Sequence, residues 1–181
     1  MRGAAYISIA VLLLLLQANL YRVLGPLGSL VGVEWQHGLT PSLVLPLVVF
    51  LGVHEPSMSK GALLAFGIGY AQDIIGGAPI GLFTFVSVAV WWLSRIAGVR
   101  LTAQTWITRT SLGFIFALVE GALLLVLLAV FGNDNRRPLE LSSVVLPHAL
   151  STGLFSPALF RLAQRLRQGP TTVRPAAEAA P

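Results

Sequence analysis

Apolar residues run along this chain in long blocks, and short polar clusters separate them. A helix rises ~1.5 Å per residue and must cross ~30 Å of hydrocarbon, so blocks of this kind are what a bilayer requires of its spans. The pattern predicts six spans, over about 4–24, 39–53, 60–75, 80–97, 107–131 and 143–162. The repeated ~10-residue alternation of apolar and polar positions that a membrane barrel needs is absent. The expected fold is an all-α integral membrane protein, a six-span helical bundle forming one domain over 1–168. A Pro- and Ala-rich tail, 169–181, is expected to be disordered.

Two blocks need closer reading. "MRGAAYISIAVLLLLLQANLY" has one Arg before an apolar run, as a secretory signal does. Leu16 occupies the place where cleavage before Asn19 wants a small residue, so this block is expected to stay as the first helix. The second block is short and contains Pro41 and Pro46. Pro41 suits a first helical turn and Pro46 a kink, and a re-entrant hairpin is an open alternative. Between these blocks, "GPLGSLVGVEWQHGLT" suits a loop or short helix at the outer interface, with Trp35 and Glu34 in it. "GNDNRRPLE" reads as a polar hairpin between the last two spans.

Within the third block, Gly61, Ala65, Gly69, Asp73 and Gly77 step by four, which places them on one helix face. Small residues there permit close approach of another helix, from this chain or from a partner. Asp73 is the exception in the row. It lies about 20 Å up the helix from Lys60, just before the break "GGAPIG". A carboxylate facing lipid is costly, so Asp73 is expected to face the bundle. It can bond backbone N–H groups at the break or the next helix start. A proton or ion relay, or a partner contact, are the other readings, with Arg22 and His148 as possible partners of similar depth. Glu120 is the second intramembrane acid, expected as a protonated, hydrogen-bonded core residue beside the small stripe of Gly113 and Gly121. Gln17 and Asn19 are expected to bond across helices, and Trp91 and Trp92 to anchor the inner interface with Arg95.

Composition narrows the function classes. Only 10% of the 181 residues are charged, where a soluble domain carries roughly 25%, and the mean hydropathy is +0.80. With no cysteine there is no disulfide, thiolate nucleophile or thiolate metal site, and His37, His54 and His148 have no metal-ligand spacing. The net charge of +5 sits at the ends of apolar blocks, which indicates membrane topology and not nucleic acid. With an inside N-terminus, nine of the twelve Lys and Arg residues face the cytoplasm, and Arg22, Arg136 and Arg137 face outward. Five spans with an outside N-terminus give the same count, and both put Arg95–Arg109 and the C-terminus in the cytoplasm. "RLAQRLRQ", 161–168, reads as a basic helix end for anionic headgroups. No Gly-rich phosphate loop, nucleophile elbow or acidic metal cluster is present, so neither an enzyme nor a cofactor is expected.

A Pro opening the second block, followed by "GALLAFGIGYAQDIIGGAPIGLFTF", resembles the rod shape-determining protein family MreD. The match rests on Pro41, Gly69, Asp73, Gly76, Gly77, Pro79, Gly81 and Leu82, and departs from the family at Ser42, where an acid is usual. The resemblance implies a fold similar to the substrate-binding subunits of energy-coupling-factor vitamin transporters. It also implies a cytoplasmic-membrane scaffold that binds MreC and works with the MreB filament, RodA and a class B penicillin-binding protein in lateral peptidoglycan synthesis. On that expectation the small-residue face receives MreC's helix. The alternative expectation is a transporter-like subunit with a small-molecule pocket lined by Asp73, Glu120, His148, Thr84 and Ser87.

Overall fold

The computed structural model describes residues 2–31, 41–76, 79–98, 105–131 and 138–168. Among these residues six helices follow in order: α1 (Arg2–Val31), α2 (Leu45–His54), α3 (Met58–Gly76), α4 (Leu82–Gly98), α5 (Trp106–Phe131) and α6 (Pro138–Gln168). There is no strand among the described residues, and the fold is an all-helical bundle. Among these residues one helix, α5, is long and apolar enough to cross a membrane.

The second block departs most from expectation. Its helix holds only 10 residues, about 15 Å, and so covers half the thickness of a bilayer core. Pro46 sits in the first turn of α2, where a missing N–H costs nothing, so it starts the helix and does not kink it. Pro41 lies in a non-helical lead-in, outside any first turn. Residues 41–52 are all buried, so the backbone donors of the lead-in need partners inside the protein. Side chains of α6, α1 and the lead-in itself supply them. Ser42 N–H donates to Thr152 Oγ1 (2.9 Å), Leu43 N–H to Gln17 Oε1 (3.0 Å) and Leu45 N–H to Ser42 Oγ (3.3 Å). Gln17 thus bonds across elements, while Asn19 bonds back to Leu15 O in its own helix. The buried α2 contributes Leu47, Val48, Val49, Phe50 and Leu51 to the core and packs on α3, α4, α5 and α6.

Two helix ends also differ. α1 continues from Gly25 through Val31, because one proline removes one donor while Leu27, Leu30 and Val31 carry on the apolar pattern. The remainder of the expected interfacial stretch, with Glu34 and Trp35, lies outside the described residues. α6 takes Pro138–Glu140 from the expected hairpin, with Pro at its first position, and runs through Pro147 and Pro157. Inside α6, Ser156 Oγ donates to Thr152 O (2.7 Å) and Ser151 Oγ to His148 O (2.9 Å).

Close contact between helices depends on glycine, as the α5–α6 and α2–α4 seams show. A Cβ on Gly113 would overlap Ser156 Oγ, and one on Gly153 would lie 3.0 Å from Phe114 Cβ, so α5 and α6 meet nearly backbone to side chain. Gly52 likewise brings α2 against α4, where a Cβ would stand 2.7 Å from Trp91 O. Polarity is inverted relative to a water-soluble bundle. Ser42, Gln72, Asp73, Thr84, Ser87, Ser94, Glu120, Thr152 and Ser156 are buried, while Leu63, Phe66, Tyr70 and Ile74 on α3 are 47–71% exposed.

Candidate functional site

The row on α3 faces α4 of the same chain. A Cβ on Gly61 would lie 2.7 Å from Trp91 Nε1, and one on Gly69 would lie 2.6 Å from Thr84 Cα and 2.7 Å from Phe83 O. Ala65 is fully buried between them. Gly77 lies outside the described residues. Of the two expectations for this face, a helix of this chain and a partner's, the first is met: α4 occupies the row, and its backbone lies so close to Gly69 that MreC's helix has no room there.

Asp73 ends the row at the corner between α3 and α4. Its side chain is 1% exposed and takes four hydrogen bonds. Phe83 N–H donates to Oδ1 (2.8 Å), while Gly81 N–H (2.9 Å), Thr84 N–H (3.2 Å) and Thr84 Oγ1 (2.6 Å) donate to Oδ2. The Phe83 and Thr84 N–H groups belong to the first turn of α4 and Gly81 N–H to the residue just before it, so none of them has an intrahelical acceptor. Asp73 therefore caps α4 from another helix, with a carboxylate at its positive dipole end. Pro79, Ile80, Gly81 and Leu82 form the turn that brings these donors round, closed by Leu82 N–H to Pro79 O (3.2 Å). Gly81 has φ +100°, at the third position of that turn, where a type II geometry requires glycine. Gly76 ends α3 with nothing within 4 Å of a built Cβ.

Trp91 does not serve as an interfacial anchor. It is buried against Gly61, while Trp92 beside it is exposed. Arg95 lies 5.9 Å from the Trp91 ring centre and donates to Glu55 O (2.8 Å) and Pro56 O (3.1 Å), fastening the α2–α3 connection.

A cavity of about 240 Å³, partly open, lies beside the corner. Gln17 (α1), Ser42, Gln72 (α3), Glu120 (α5) and His148 (α6) bring polar atoms to it, and Phe83, Leu124, Leu125, Leu128 and Val145 form apolar walls. Of the residues expected to line a pocket, Glu120 and His148 do so. Thr84 is taken up by Asp73, and Ser87 packs against Gly69. His148 Nε2 stands 4.0 Å from Glu120 Oε2. The four donors to Asp73 come from the chain itself, and the side chain of Arg22 lies outside the described residues. Sequence reasoning missed Gln72 and Ser42 as cavity residues. Gln72 adjoins Asp73 on a buried stretch of helix, a signal that a polar residue so placed points inward.

No family model, curated protein or solved structure matches this chain.

Proposed function

We propose that this chain is a multi-pass protein of the bacterial cytoplasmic membrane that acts as a non-enzymatic scaffold of the cell-elongation machinery, of the MreD type. Its C-terminus, and with six crossings its N-terminus, lies in the cytoplasm. It binds MreC, and through that contact works beside the MreB filament, RodA and a class B penicillin-binding protein in lateral peptidoglycan synthesis. The observation that carries the reading is the inverted polarity. Large apolar side chains cover the outward faces of α1, α3, α4 and α5, whereas polar side chains such as Asp73, Thr84 and Thr152 are turned inward and hydrogen-bonded. Such a surface suits lipid and the helices of other membrane proteins. Four of the residues that resemble the family also share one physical task, because Gly69, Asp73, Pro79 and Gly81 together build the α3–α4 corner.

Since α4 fills the small-residue row, MreC meets an outward face. On α3 that face carries Leu63, Phe66, Tyr70 and Ile74, with the Phe66 and Tyr70 rings nearly parallel at 6.4 Å. The test is affinity purification of the tagged chain from alkaline-washed membranes. Retention in the washed membrane together with co-purified MreC supports the reading. Release into the wash, or purification without MreC, contradicts it.

A further inference from the structure

The cavity holds a group that the packing leaves unmatched. Glu120 is buried, and its Oε2 has no hydrogen-bond partner. His148 Nε2 at 4.0 Å is beyond hydrogen-bond length. A carboxyl shielded from water is neutral when nothing pairs with it, and becomes a carboxylate when a ligand brings a positively charged donor to its free oxygen. The rest of the lining limits what that can be. Ser42 and Gln72 each offer an oxygen acceptor as well as donors, no Lys or Arg lines the cavity among the described residues, and His148, the lining group able to carry positive charge, already stands beside Glu120. A hard metal ion takes six or more oxygen ligands, and no group of three His, Cys, Asp or Glu stands together among the described residues. The walls of Phe83, Leu124, Leu125 and Val145 suit an apolar body. The space takes on the order of eight non-hydrogen atoms.

We infer that this cavity is a binding site for a small organic cation, with its ammonium head on Glu120 Oε2 and its hydrocarbon body between α4, α5 and α6. An ammonium brings three donors and a charge, the strongest complement to a carboxylate in a site of low polarity. Gln72 is four residues from the end of α3 and Phe83 is the second residue of α4, so the site lies toward the bundle end opposite Lys60, Arg95 and Arg109. The inference is independent of the scaffold reading, since it requires neither MreC nor any other protein.

The test uses the full chain in detergent, with unfolding followed through its four tryptophans. Hexylammonium chloride is compared with hexan-1-ol and sodium hexanoate at equal concentration. At a tenfold excess over Kd, hexylammonium should raise Tm by roughly 3–5 °C and saturate, with no such rise from the alcohol or the acid. Glu120→Gln should abolish the rise. Leu125→Trp, which fills the cavity and keeps Glu120, should abolish it as well and stands in if Glu120→Gln fails to fold. Equal shifts with all three compounds, no shift with hexylammonium, or a shift that survives in either variant overturns the inference.

Discussion

Replacing Asp73 with alanine removes one carboxylate and leaves four donors facing an empty place. Gly81 is exposed, so water can serve its N–H. Thr84 is buried, and Phe83 is half-buried, so their donors lose partners that solvent does not restore. Loss of an ordinary helix cap costs about 0.5–2 kcal/mol, and each hydrogen bond to a charged group contributes about 1.5–3 kcal/mol, without simple additivity. The expected destabilisation is thus about 3–5 kcal/mol, or a fall in Tm of roughly 6–20 °C for a chain of this size. Asp73→Asn keeps one acceptor oxygen but turns an NH2 toward the donors, so it should recover only part of the loss. Thr84→Val removes the shortest of the four bonds alone and should cost about 1 kcal/mol. Thermal unfolding of the purified chain orders the three variants. If Asp73→Ala unfolds within about 1 °C of the parent, or Asp73→Asn matches it, the carboxylate is not what holds the corner.

Other substitutions probe the same architecture. Gly69→Ala pushes a methyl into the α4 backbone and should cost about 1–3 kcal/mol, while Gly67→Ala on the same helix meets open space and should be neutral or slightly stabilising, both read as Tm. Gly81→Ala, at φ +100° with no neighbour within 4 Å, should cost about 1–2 kcal/mol through backbone strain alone, and Gly76→Ala should not. Thr152→Val removes the acceptor of Ser42 N–H and should destabilise by about 1–3 kcal/mol, with faster amide exchange at Ser42.

The helices of this chain are legible wherever an apolar block is long and uninterrupted, because length and apolarity act locally. α5 is the clearest case. The second block misleads because its apolarity reflects burial among other helices and not contact with lipid, and periodicity does not separate the two. The lead-in at 41–44 is tolerated only because Gln17 and Thr152, 26 and 110 residues away in sequence, reach its donors. No local pattern announces such pairs. The small-residue row on α3 is visible in sequence as a face, but the neighbour it receives is a tertiary fact, and that neighbour is α4. The meaning of Pro79 and Gly81 follows from turn chemistry once the corner is placed. Glu120 and His148 stand out in sequence as polar residues in apolar helices, whereas Gln72 becomes informative only when the cavity brings it beside them.

The seating of α4 on that row is tested most directly by cysteine cross-linking, since the chain has no cysteine of its own. A Cβ built on Gly69 lies 2.9 Å from Ser87 Cβ, and a disulfide spans ~3.8 Å with under about 1 Å of adjustment. Gly69→Cys with Ser87→Cys, oxidised in native membranes, should give a cross-linked monomer whether or not MreC is present. Cross-linking between chains in place of within one would contradict an internal α3–α4 seam.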